Sequence, residues 1–136
     1  MKKSVLLSYL AALSCFCLLL ISCGDENKSE DTNQNLQGTW NVTSWTHGGD
    51  EQLGTILATS YTMEFDSISG TSGFTDWTIT TGVGFVNHIS GDYDVKDNSK
   101  ILAFQGQDWD LEVDGDELRV EGVILSESYV LVAEKQ

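Results

Sequence analysis

The stretch "DWDLEVDGDELRV", residues 108–120, decides the fold class. Polar and apolar residues alternate on both sides of Asp114-Gly115, and Asp-Gly between two alternating runs is the strongest short-range hairpin signal. As a two-residue type I′ loop it pairs Val113 with Asp116, Glu112 with Glu117, Leu111 with Leu118, Asp110 with Arg119 and Trp109 with Val120. Trp109, Leu111, Leu118 and Val120 then share one face, and a one-residue slip would turn that set to the other side. The same register sets Glu112 against Glu117, a like-charge pair that costs stability unless solvent or a cation screens it.

A calcium loop competes for these residues. Asp110, Glu112, Asp114, Gly115 and Glu121 fall at positions 1, 3, 5, 6 and 12 of the EF-hand pattern. Position 3 is Glu instead of Asp or Asn, position 8 (Glu117) is not apolar, and the flanks have strand period, not helical period. The hairpin reading prevails and no metal site is assigned.

Period two extends outward from the hairpin. Strands are expected near Gly38–Thr46, Ser60–Asp66, Gly73–Thr80, Phe85–Val95, Lys100–Gln105, Trp109–Val113, Glu117–Glu121 and Ser128–Glu134, bounded by Gly, Asp, Asn and Ser. The chain has no proline, so none of these strands is interrupted by one. The glycines of "TTGVGF", residues 80–85, read as a hairpin or bulge. One helical pattern stands out at Asp50–Ala58, where Asp50 caps and Leu53, Ile56 and Leu57 share a face. Eight strands in residues 36–136 leave room for one all-β domain, a small up-and-down antiparallel barrel with one short lid helix.

The N-terminus is of another kind. Met1, Lys2 and Lys3 precede an apolar run from Val5 to Ile21, the layout of a signal peptide over residues 1–22. Leu20-Ile21-Ser22-Cys23 resembles the lipobox of bacterial lipoproteins. That resemblance implies cleavage before Cys23, acylation of its sulfur and new amine, and a membrane partner reached through acyl chains. The place implied is the cell envelope, at the outer membrane on its periplasmic or surface side. Each buried methylene would add about 0.8 kcal/mol to the anchor. Residues 23–35 then comprise the lipidated cysteine and the polar run "GDENKSEDTNQN", a composition that reads as a flexible acidic tether.

Processing removes Cys15 and Cys17 and consumes Cys23, which excludes thiol catalysis and cysteine-ligated metal. Twenty-one acidic residues against seven basic ones, a net charge of −14, argue against nucleic acid as a partner. Gly-x-Ser-x-Gly, His-Glu-x-x-His and phosphate-cradling glycine loops are absent, and no cofactor motif is found. His47 and His88 fall on separate elements, and Asp92 and Asp94 share a strand face, a spacing open to paired carboxylates but read first as an acidic outer face. A hydrolase built on His88 is the remote alternative; no catalytic residue is assigned, and the chain reads as a monomer.

"LQGTWNVTSW", residues 36–45, carries the second resemblance. Gly38-Thr39-Trp40 entering the first strand, followed by an up-and-down series, resembles lipocalin-like (calycin) domains of bacterial lipoproteins. The resemblance implies that Gly38 lets the entering chain approach, that Trp40 crosses the closed bottom, and that a late basic residue, Arg119 or else Lys135, lies over its ring. It lacks a clear second lipocalin motif, "GDYD" at 91–94 being the nearest match. A META domain is the other relative considered; its Gly-Cys-Asn segment is missing.

The implied function is non-catalytic binding of a small apolar or amphipathic ligand. Leu53, Ile56 and Leu57 would lid the open end, with Tyr61, Trp77, Phe85 and Trp109 facing inward as ligand contacts. Trp45 alternates opposite to Trp40 and is expected to point outward. The alternative is a structural or interaction lipoprotein with a filled barrel, contacting protein or glycan through loops and exposed aromatics. A water-excluding cavity of a few hundred cubic ångströms beside Leu53–Leu57 separates the two.

Overall fold

A computed structural model of the chain describes residues 25–136; the signal segment 1–22 and Cys23 lie outside them. Helix α1 spans Asp25–Leu36, and nine strands follow: β1 Gly38–His47, β2 Asp50–Glu51, β3 Ser60–Ser69, β4 Ser72–Thr80, β5 Val86–Lys96, β6 Ile101–Phe104, β7 Gln107–Asp114, β8 Glu117–Ile124 and β9 Glu127–Lys135. From β3 to β9 each strand pairs antiparallel with the next, β1 pairs with both β3 and β9, and β2 only flanks β1. The result is a closed eight-stranded up-and-down barrel, which leaves no long free edge. All eight expected strands are present.

The hairpin at 108–120 forms with its loop one residue later than expected, so every cross-strand partner shifts by two. Asp114 pairs with Glu117, Val113 with Leu118, Glu112 with Arg119 and Leu111 with Val120. The two-residue loop is therefore Gly115-Asp116. Gly115 takes φ 60° while Asp116 stays outside the left-handed region, the type II′ pattern with glycine first. Glu112 now faces the only arginine in the chain instead of another carboxylate, which is the physical reason to prefer this register. Moving the loop by one changes partners and keeps the faces, so Trp109, Leu111, Leu118 and Val120 are all buried as expected.

The helix lies elsewhere than the periodicity placed it. Residues 50–58 are not helical. Gly48-Gly49, both left-handed, turn β1 into β2, and Gly54 at φ 81° cannot continue a helix. Residues 25–35, read from composition as a flexible tether, instead belong to α1, which seals one end of the barrel. Its one apolar side chain, Leu36, is fully buried, and so is Asn33, whose amide donates to Gly70 O at 2.6 Å. Asn33 also accepts from the Tyr93 hydroxyl at 2.5 Å, and Gln37 donates to that hydroxyl at 3.2 Å. Helical propensity plays little part here; tertiary contacts fix the segment.

At this closed end Trp40 is fully buried and donates from Nε1 to Leu36 O at 2.7 Å. The basic group over its ring is Lys135, with Nζ 5.1 Å from the centroid, and not Arg119. Arg119 lies on the outer face and pairs with Glu121 at 2.8 Å. Strand parity decides this: Arg119 alternates with the buried Leu118 and Val120 and so must point outward. Gly38 takes φ 108°, and a side chain there would meet the Lys135 stem at 3.7 Å. That distance is ordinary contact, so it is the left-handed backbone at Gly38 that favours glycine there.

Candidate functional site

The opposite end is open. β1 stays paired to β3 only from Gly38 to Asn41, then runs on between β9 and the short β2. Along β9 the pairing skips Thr43, Val42 facing Ala133 and Ser44 facing Val132. That extra residue is a β-bulge, and a bulge re-aims every side chain beyond it. Trp45 therefore pairs with the inward Leu131 and lines the barrel mouth, contrary to the expectation that it points outward. His47 pairs with Tyr129 and stacks on its ring at 4.3 Å, with its Nε2 against the Glu127 carboxylate.

Where β1 leaves β3, Glu51 fills the gap. Its carboxylate accepts from Ser44 Oγ at 2.6 Å, Trp45 N at 2.9 Å and Leu53 N at 2.9 Å. Burial raises the pKa of this carboxyl, but the Ser44 hydroxyl and the Trp45, Leu53 and Gln52 amides outweigh that and hold it below the ordinary value.

Inside the mouth lies a cavity of about 360 Å³. Its aromatic wall is continuous. Trp45 meets Tyr61 edge-on at 5.6 Å, Tyr61 meets Trp77 at 6.3 Å, and Trp77 meets Trp109 at 5.8 Å and Phe104 at 4.7 Å. Ile79, Ile89, Ile124 and Leu131 complete the apolar lining, and Gln105 and Gln107 add the polar groups. The size falls in the range of small-ligand sites, and so does the mix of many apolar walls with a few polar groups. Gly122 holds Trp109 in place, since a Cβ there would come within 2.5 Å of the indole. Burial also pushes the Tyr61 hydroxyl well above its usual range, so it stays a neutral wall group.

Of the ligand residues expected from sequence, Tyr61, Trp77 and Trp109 line this cavity and Phe85, Leu53, Ile56 and Leu57 do not. Phe85 precedes β5 in the β4–β5 loop and is 71% exposed, because the loop ends before strand alternation can turn it inward. Ile56 and Leu57 are exposed on the rim, tied to the neighbouring loop by Gly82 N donating to Ile56 O at 2.9 Å. Leu53 packs half-buried against the core. Trp45 was missed because only the bulge at Thr43 turns it inward, and no residue type announces that bulge.

The histidine of the remote alternative lies on the outer wall. Thr78 Oγ1 is 3.1 Å from His88 Nδ1, and both Asp76 oxygens are 3.3 Å from the same nitrogen. A relay needs the carboxylate and the nucleophile on opposite ring nitrogens, so these three groups do not form one. Asp92 and Asp94 are likewise on the outer face of β5, alternating with the buried Tyr93 and Val95. Among the described residues no three His, Cys, Asp or Glu side chains gather to hold a metal.

No family model and no curated protein matches the sequence. Solved structures similar in fold include a redesigned β-barrel, at 16% identity and TM-score 0.59, over 76% of this chain and 94% of that one. The redesigned barrel mFAP0 bound to DFHBI is similar at 15% identity and TM-score 0.55, over 75% and 100%. Lobster apocrustacyanin A1 is similar at 12% identity and TM-score 0.50, over 82% and 69%. The fold is thus lipocalin-like: an all-β closed antiparallel barrel of eight strands with one short helix.

Proposed function

We propose that this barrel is a non-catalytic binding protein that holds a small apolar or amphipathic ligand in its open mouth, and that it is carried on the cell envelope by lipid on Cys23. The observation that carries the binding reading is the 360 Å³ cavity walled by Trp45, Tyr61, Trp77 and Trp109. A filled barrel has no such space, and Trp45, one of the aromatics the interaction reading would have exposed, lines the cavity instead. mFAP0, of the same fold, carries bound DFHBI. The anchor rests on the basic start, the apolar run and Leu20-Ile21-Ser22-Cys23. Since α1 begins at Asp25 and seals the closed end, this reading has the mouth facing away from the anchored end.

Titration with the neutral dye N-phenyl-1-naphthylamine tests the binding reading. Dye fluorescence should rise on binding, and Ile89→Trp, at the half-open rim, should abolish the rise with an unchanged melting temperature. Equal dye binding by wild type and Ile89→Trp would refute the assigned cavity. For the anchor, Cys23→Ala should leave an unprocessed, unacylated precursor, and normal acylation of that variant would refute the lipobox reading.

A further inference from the structure

The cavity's surroundings speak to the charge of what it holds. Trp45, Tyr61, Trp77 and Trp109 all line the cavity, so four aromatic π systems border the space that a ligand would fill. A ring face is electron-rich and attracts a cation placed within about 6 Å of its centre.

The fixed charges agree. No lysine or arginine is among the lining residues. Of the seven basic residues, Lys2 and Lys3 precede the described chain. Lys28 belongs to the sealing helix, Lys100 to the turn before β6, and Lys135 lies over Trp40 at the closed end. Lys96 and Arg119 pair with Asp108 and Glu121 on the outer wall. The rim instead carries carboxylates: Glu51, bonded to the backbone of Trp45, and Glu127, against the His47 that stacks on Tyr129. Low-dielectric walls under a surplus of one charge sign focus the field of the whole molecule into the opening. A carboxylate or sulfonate entering this mouth would lose its water and meet no basic side chain in the lining.

We infer that the mouth selects by charge, taking a planar ring compound bearing a positive charge in preference to its neutral analogue, and the neutral analogue in preference to the anion. This inference rests on the binding reading above and adds to it the class of ligand.

Three naphthalenes of matched size test it: 1-naphthylmethylamine, 1-naphthalenemethanol and 1-naphthoate, titrated against the intact protein at pH 8 by tryptophan quenching. The amine should bind about fivefold more tightly than the alcohol, the scale of one exposed cation–π contact. The acid should bind at least about tenfold more weakly than the alcohol, for want of a countercharge. Raising salt should weaken the amine alone, and Glu127→Gln should lower amine affinity about twofold to fivefold with alcohol affinity unchanged. Naphthoate binding as tightly as the amine, or Glu127→Gln acting on all three probes alike, would overturn the charge inference while leaving the binding site standing. Failure of all three to bind would instead bring down the binding reading and this inference with it.

Discussion

The two ends of one barrel are built from the same eight strands and reach opposite results. At the closed end Trp40, Met63, Phe65 and Leu118 are fully buried, and the polar groups beside them are paired, in the Tyr93–Asn33–Gln37 cluster and in Lys135 bonded to Asn35 O at 2.7 Å. At the mouth, Trp45, Ile79 and Tyr129 are half-buried, and Ile56, Leu57, Phe85 and Leu125 stand in solvent. Alternation between buried and outward residues is regular toward the closed end and fades in β1 and β5 toward the mouth. The difference comes from what covers the end and from the bulge at Thr43, which brings an additional tryptophan into the wall.

Trp40→Ala should break the closed end with the largest effect. It removes a fully buried indole and its bond to Leu36, a loss of about 3–5 kcal/mol by urea unfolding. A loss under about 1 kcal/mol would mean that α1 does not depend on that ring. Gly122→Ala should act on the mouth. Its Cβ meets the Trp109 indole at 2.5 Å, and such overpacking costs about 1–3 kcal/mol. Because the displaced ring moves into the cavity, affinity for N-phenyl-1-naphthylamine should fall as well, whereas Trp40→Ala should spare binding in whatever fraction stays folded.

Tyr93→Phe tests the polar seal. It removes a donor to the buried Asn33 and should cost about 1–2 kcal/mol with no change in dye affinity. Burial raises the pKa of Tyr93, its bond from Gln37 lowers it in part, and the nearby Asp66 raises it. The folded state therefore keeps the proton longer than the unfolded chain does. The associated stability is intact below the ordinary tyrosine value of about 10 and is lost as pH climbs past it. Tyr61 in the mouth wall shifts the same way, so denaturant midpoints should drop above about pH 10, and less steeply in Tyr93→Phe. Glu51 has the opposite sign: its lowered pKa gives stability that is present above the ordinary carboxyl range and lost as pH falls through the folded value. Glu51→Gln should flatten the acid limb of the pH–stability curve.

The smallest effects separate the two basic residues considered for Trp40. Lys135→Met should cost about 0.5–1 kcal/mol, the scale of a cation–π contact. Arg119→Ala, losing an outer-face ion pair, should change stability by less than about 0.5 kcal/mol. The reverse order would return Arg119 to the closing role that the sequence resemblance offered it.

Much of the barrel was legible in the sequence because period-two alternation is written residue by residue, and the hairpin at 108–120 keeps its faces even when its loop moves by one. Of the site, Tyr61, Trp77 and Trp109 were legible for the same reason. Trp45 was not, since one unpaired residue, Thr43, inverts the parity after it. Phe85 was misplaced because strand period was carried past the start of β5 into a loop, and Ile56 and Leu57 because an apparent helical period falls on a segment that Gly54 keeps non-helical.

What the sequence determined by itself is the set of strands, their buried faces and the acidic balance, all properties of near neighbours along the chain. Tertiary structure alone decided what seals the closed end and what space the open end encloses. A polar helix with one leucine cannot be seen to fold until Asn33 has Tyr93 and Gly70 to bind, and a cavity exists only where walls from all eight barrel strands meet without filling the space between them. Contacts between distant residues carry no local signature, and the candidate site consists of them.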